Sequence, residues 1–316
     1  MLNPLRRWPM LSILFGASVW GVVWYPLRML AALGLSGTMA SALTSATACV
    51  FVLAARRRSI ATLRWHWLIP ALALAAGVTN VGFVWGAIHG EVMRVLLLFY
   101  LTPAWTALFA HFILRERLTW AGAGLAALSL AGAMLMLWSP RLGLPLPGNP
   151  AEWAGLAAGM GFAMSNVLTV KTVRELPGMK GEMRTVILFG GSALFAACAS
   201  LFETMPAPPA GAQLHEAAWL VLGIGVVLGT NNTLVQYGLA RVPANRAAII
   251  MLFEIVVTAL SAWLLAGETP GPREWAGGAC IMFASLLSSR VHRSKNAAGS
   301  GDDSDPDRRN RSRAMV

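Results

Sequence analysis

Apolar residues run through this chain in ten long blocks, roughly 11–31, 36–55, 67–88, 92–114, 119–139, 152–172, 184–204, 217–239, 244–266 and 274–290. About 20 apolar residues in a helix cross the ~30 Å hydrocarbon layer of a bilayer, so each block predicts one span. The predicted fold class is an all-α integral membrane protein of ten transmembrane helices. Linkers are short except SPRLGLPLPGNP at Ser139–Pro150, whose Pro and Gly residues mark a joint. The chain is expected to divide into a five-span unit at 1–144, a second at 145–292, and a polar tail at 293–316. The tail mixes charges and lacks apolar residues in number, which predicts disorder on the cytoplasmic side.

The two units share a pattern. At an offset of 152, PANRAAIIMLFEIVVTALSAWLLAGE (Pro243–Glu268) falls on EVMRVLLLFYLTPAWTALFAHFILRE (Glu91–Glu116). Identities in this register include Trp67/Trp219, Gly77/Gly229, Asn80/Asn232, Gly86/Gly238, Arg94/Arg246, Thr106/Thr258 and Glu116/Glu268. Apolar composition alone produces Leu and Ala matches; it does not readily produce Trp, Asn, Arg and Glu matches in one register. Five spans is an odd number, so the second unit is expected to enter the membrane inverted relative to the first. Inverted repeats of this kind mark secondary transporters, whose sites lie near mid-membrane at the repeat interface.

Composition and charge narrow the picture. The chain is 56% hydrophobic and 12% charged, and its net charge is +11. With the N-terminus inside, cytoplasmic loops and tails hold most Lys and Arg residues, among them Arg6, Arg7, Arg56, Arg57, Arg58, Arg64, Arg115, Arg117, Arg174, Lys180, Arg184 and Arg241. Outer loops keep Arg141 and Arg273. This positive-inside bias puts both termini in the cytoplasm of a bacterial-type inner membrane and explains the charge without nucleic acid. Asp first occurs at position 302, which removes intramembrane chemistry built on paired aspartates. Cys49, Cys198 and Cys280 lie in apolar blocks at no metal-binding or disulfide spacing. No metal or cofactor is expected, and no GxxxxGK[ST] loop for direct nucleotide drive is present.

Trp20-Gly21 in the first block, Pro103 in LTPAWTALF, LRERLTWAG at Leu114–Gly122 and its second copy LAGETPGPREWAGG at Leu265–Gly278 together resemble the EamA branch of the drug/metabolite transporter superfamily. The resemblance covers about residues 11–290. It implies ten helices in two five-helix repeats, a central cavity lined by spans 1, 3, 4, 6, 8 and 9, and alternating access. Arginines at the starts of spans 4 and 9 depart from the usual pattern of that branch.

Candidate site residues follow from polar groups inside apolar blocks. Glu254 lies eight residues past Arg246, about 12 Å along a helix, near mid-membrane. A charge there costs roughly 2.5–3.5 kcal/mol even on lenient insertion scales. It suits a substrate ammonium, a coupled proton, or a structural pair with a base. Arg28 and Arg94 near one face, and Arg246 and Lys171 near the other, would form basic layers on either side of it. They can gate and bind anions, or they can snorkel to the interfaces. Trp20, Trp24 and Arg28 recur every fourth residue on one stripe, which either lines the cavity or packs. Asn80, Asn232, Asn166, Tyr237, Asn231 and Gln236 either line the cavity or tie helices together. Gly155/Gly159 and Gly225/Gly229 predict close helix contacts. The histidines are scattered, and His111 reads as a core or interface residue.

The pattern points to a secondary transporter that exports a small polar metabolite, an amino acid or related organic anion or zwitterion. Proton-coupled efflux of lipophilic cations is the alternative. An intramembrane enzyme lacks paired acids, and a non-transporting scaffold leaves the intramembrane polar groups without a use. The expected partners are a small-molecule substrate, the bilayer and a coupling proton; the sequence is compatible with a monomer.

Overall fold

The computed structural model describes residues 8–90, 92–116, 119–138, 146–203, 210–267 and 271–299. Arg6, Arg7, Glu91, Arg117, Arg141, Glu268 and the tail from residue 300 lie outside the described residues. Every described element is a helix: α1 (Trp8–Ala32), α2 (Gly37–Ala55), a short 3-10 helix (Arg57–Thr62), α3 (Leu68–His89), α4 (Val92–Phe99), α5 (Thr102–Leu114), α6 (Trp120–Leu137), α7 (Pro150–Glu175), α8 (Gly181–Ser200), α9 (Ala212–Leu239), α10 (Ala244–Met251), α11 (Phe253–Ala266) and α12 (Pro272–Gly299). Among the described residues, nine helical stretches are long and apolar enough to span a membrane, counting α4–α5 and α10–α11 as one each. In α12 the apolar stretch is shorter, Trp275–Ala284, and the helix runs on into the first residues of the stretch expected to be a disordered tail. Arg184, expected near a loop, is instead buried within α8.

Local chemistry sets the helix starts. The Ser36, Thr119 and Asn149 side chains accept the backbone N–H of Met39, Gly122 and Glu152 at 3.3, 3.1 and 3.0 Å. Each satisfies a donor that the first turn leaves free. Pro150 begins α7, where its missing N–H costs nothing.

Two blocks read as continuous spans are broken midway. The fourth breaks at Tyr100–Leu101 and the ninth at Leu252, at corresponding positions of the 152-residue offset. Pro103 explains the first break, because it removes a donor at the start of α5. At the second break the chain switches to a tighter turn, with the Ile255 N–H donating to the Leu252 carbonyl at 3.1 Å. Irregular backbone at this depth is tolerated only where protein covers it. Leu252 is 2% exposed and Tyr100 8% exposed.

Packing follows a pattern of exchanges. Helix α3 lies on α7 and α8, as α9 lies on α1 and α2; α4 and α5 lie on α7, as α10 and α11 lie on α1. Glycine permits two of these approaches. A Cβ on Gly155 of α7 would stand 3.0 Å from the Val95 carbonyl oxygen of α4, and one on Gly229 of α9 would stand 3.1 Å from the Ala48 carbonyl oxygen of α2. Helix α5 packs on α10, and on the other side of the breaks Leu97 of α4 shares an apolar cluster with Ile255 and Val256 of α11. At the α5–α10 contact, Ala110 and Leu114 of α5 cluster with Val167 and Val170 of α7 and Ala244 of α10, while Ile13, Val235, Leu239, Ile250 and Met251 form a separate apolar cluster between α1, α9 and α10, with Phe162 of α7 against it.

Candidate functional site

The two breaks meet. Tyr100 closes α4 and Glu254 lies in the first turn of α11, and the Tyr100 hydroxyl donates to the Glu254 Oε1 at 3.4 Å. That length is at the outer limit of a hydrogen bond, so a small relative movement of the two breaks severs it. Glu254 remains partly accessible and forms no ion pair with a described Lys, Arg or His. Its carboxyl therefore has no cationic partner among the described residues. Tyr100 is a site residue that the sequence did not single out, because a tyrosine inside an apolar run adds to the hydropathy signal.

Helix α1 backs this site. A Cβ on Gly21 would come within 2.8 Å of both the Glu254 carbonyl oxygen and the Val257 Cβ, so only glycine admits α1 at this distance. Trp24 Nε1 donates to the Ser261 Oγ at 2.8 Å, and that hydroxyl reaches the Gly21 carbonyl oxygen at 2.8 Å. Trp24 is thus held against α11. Trp20 packs instead on an apolar cluster of Val23, Leu30, Ala48, Phe189 and Leu228, and Arg28 is exposed without a pair among the described residues. The expected Trp20–Trp24–Arg28 stripe is split among three environments.

The basic residues also separate. Arg94 Nε lies 2.7 Å from the Glu152 Oε1, its Nη2 donates to Oε2 at 3.0 Å, and the same nitrogen reaches the Leu146 carbonyl at 3.0 Å. Glu152 is 4% exposed and also accepts from the Gly148 N–H and the Asn149 side-chain amide, each at 2.7 Å. Arg94 therefore sits in a neutralised clasp between α4 and α7, not in an open basic layer. Lys171 pairs with Glu175 at 2.8 Å and lies 5.9 Å from the centre of the Trp67 ring. Arg246 keeps a buried guanidinium nitrogen, Nη2, with no hydrogen-bond partner among the described residues.

At the α5–α10 end a second clasp forms. Arg174 Nη2 donates to the Glu116 Oε1 at 2.7 Å, Arg174 Nη1 donates to the Leu114 carbonyl at 3.0 Å, and Glu116 accepts the Ala244 backbone N–H at the start of α10. Burial pushes the Glu116 carboxyl above its ordinary value, against the opposing pull of Arg174 and that N–H.

The remaining polar candidates serve different ends. Asn80 accepts the Ser41 hydroxyl at 2.8 Å, tying α3 to α2. Asn166 is buried, its amide 3.7 Å from the Met251 sulfur. Asn232 is partly buried and forms no hydrogen bond with a described residue. Asn231 donates to the Gly16 carbonyl at 3.3 Å, and Gln236 accepts from Arg184 at 3.1 Å. Tyr237 falls on an exposed stripe with Val227 and Leu234, beneath the Arg241 guanidinium at 3.9 Å, and stands apart from Glu254. His111 is exposed. Among the described residues no cluster of His, Cys, Asp or Glu could hold a metal ion.

Comparison with known proteins settles the family. The pattern of the EamA-like transporter family matches twice, at residues 7–138 and 149–290. The chain belongs to the EamA-like transporter family. It is a multi-pass membrane transporter and not an enzyme. A "Probable terminal-alkyne amino-acid exporter" of Streptantibioticus cattleyicolor is 25% identical over 232 residues, covering 70% of this chain and 73% of that protein. A solved crystal structure matches the fold with a TM-score of 0.72 at 19% identity, over 90% of this chain and 97% of the other.

Proposed function

We propose that this EamA-family chain is a secondary transporter that exports an amino acid or a related zwitterion or organic anion by alternating access. The observation that carries the reading is the pair at the two helix breaks: Glu254 has no cationic partner among the described residues, and one long hydrogen bond links it to Tyr100 in the other half. An α-ammonium would take the carboxylate in place of the phenol. Arg246, whose buried Nη2 has no hydrogen-bond partner among the described residues, is the cation that would take a substrate carboxylate. The amino-acid exporter named among the relatives supports the same class.

The exchange pattern of helix contacts supports two inverted five-helix repeats, at 1–144 and 145–292. The positive-inside rule puts the Arg115 and Arg241 end, with both termini, in the cytoplasm of a bacterial-type inner membrane. The α5–α10 contact and the Glu116 clasp then close the cytoplasmic side. Glu254, without a base among the described residues, also suits proton-coupled efflux of a lipophilic cation, and the Trp24 N–H bond to Ser261 fixes that ring without covering its faces.

A thermal-stability panel in detergent tests the reading. A ligand present at ~100 times its Kd stabilises the folded state by about 2.7 kcal/mol. Amino acids or organic anions should raise the melting temperature of the wild type, and Glu254→Gln should blunt the rise. A response to lipophilic cations alone would replace the metabolite reading with the efflux reading.

A further inference from the structure

A groove of about 770 Å³ runs along the outside of the bundle, with α7 as its floor and α3 and α5 as its walls. Its floor residues Met164, Leu168 and Lys171 recur at helical spacing on one face of α7. Phe162 and Asn166, which meet the α10 side, lie on the opposite face of that helix. The groove is therefore turned away from the Tyr100–Glu254 pair, and its walls include Leu74 and Phe112, 52% and 71% exposed. One end of it is charged: Arg115 and Lys171 line it beside Trp67. Arg115 is exposed and forms no ion pair or hydrogen bond through its side chain with a described residue, and Lys171 has Glu175 as its partner.

Arg115 occupies a backbone position that favours glycine. It ends α5 in the left-handed conformation at φ 55°, and no other described non-glycine residue has positive φ. The residue 152 positions later, Gly267, ends α11 in the same conformation at φ 71°. L-residues avoid this region because Cβ crowds the following carbonyl. An arginine held there against its backbone preference, with its side chain on a groove, points to a use for the guanidinium.

We infer that this groove is a binding site for an anionic phospholipid, with the headgroup phosphate on Arg115 and Lys171 and an acyl chain along Leu74, Phe112 and Leu168. The charge complementarity is specific to one end. Cations sit where the groove meets the membrane surface, Trp67 is an interfacial aromatic, and the remaining walls are apolar over the depth of a lipid tail. A soluble anion would have no use for the apolar walls, and a zwitterionic lipid would gain little from two cations.

The test uses full-length protein in detergent with phosphatidylglycerol or phosphatidylcholine of the same acyl chains, and bound lipid counted by native mass spectrometry. Phosphatidylglycerol should be retained in preference, and each cation removed should reduce that preference about fivefold. Arg115→Gly removes the charge while relieving the backbone, so it folds at least as well as wild type. With Lys171→Gln added, phosphatidylglycerol binding should fall to the phosphatidylcholine level while phosphatidylcholine binding is unchanged. Equal retention of the two lipids by wild type, a preference that survives in the double variant, or full displacement of phosphatidylglycerol by inorganic phosphate alone would each overturn the site.

Discussion

The Arg94–Glu152 clasp can be broken from either side, and the structure sets the size of the effect. An exposed ion pair contributes about 0–1 kcal/mol. This one is different, because Glu152 is buried and accepts from Arg94, Gly148 and Asn149 together, while the Arg94 side chain is only 20% exposed. Removing one partner of a buried pair costs about 3–5 kcal/mol, because the other charge stays behind. Arg94 retains the Leu146 carbonyl and some solvent, so Glu152→Gln should cost less, about 2–3 kcal/mol. Arg94→Gln should cost a similar amount. The double variant leaves no orphaned charge and should be more stable than the sum of the single losses by about 2 kcal/mol. Equilibrium unfolding in mixed micelles, run as a double-mutant cycle, reads these quantities. Single losses below about 0.5 kcal/mol that simply add would refute the clasp and return Arg94 to the role of an interface anchor. Arg94→Gln should also leave ligand affinity unchanged wherever it still folds, since its carboxylate partner is Glu152.

Two further predictions rest on other contacts. Gly21→Val places methyl groups where the Glu254 carbonyl and Val257 already stand, so it should destabilise the fold by about 1–3 kcal/mol and weaken ligand binding; unchanged stability and binding would show that α1 does not need this approach. The Glu116 carboxyl titrates above its ordinary value, so the folded state holds that proton more tightly than the unfolded chain. The stability this provides is fully present below the ordinary glutamate range and is lost as pH rises through the raised value. Wild type should therefore gain stability relative to Glu116→Gln as pH falls from neutral, and thermal melts showing the opposite slope would contradict the burial argument.

Much of the architecture was legible because membrane spans are long and their hydropathy is unambiguous. Both helix breaks were not. A single tightened turn leaves the apolar run intact, and only Pro103 hinted at the first; nothing in FEIVV marks the second. Glu254 stood out as an acid among apolar residues, whereas its contact Tyr100 was hidden by being aromatic. The sequence places Arg94 in a basic layer because its partner Glu152 lies 58 positions away. The signal for its partner was present, since Asn149 followed three residues later by Glu152 is a capping pair that buries its acid at a helix start. Gly21 was visible as half of a Trp-Gly motif, but what it approaches depends on how α1 crosses α11. Ser261, which fixes Trp24, carries no mark in sequence that distinguishes it from Ser129 or Ser165. Arg115 could have been flagged by its alignment with Gly267, a position where a helix end turns left-handed.

On the proposed reading Glu254 recognises the ammonium of an exported amino acid or zwitterion, and counterflow in proteoliposomes reads that role out. Vesicles loaded with an unlabelled amino acid should accumulate the labelled one through wild-type protein, Tyr100→Phe should slow this exchange, and Glu254→Gln should abolish it while melting at the wild-type temperature. Full exchange through Glu254→Gln, or exchange of lipophilic cations with none of any amino acid or organic anion, would rule out that role for Glu254.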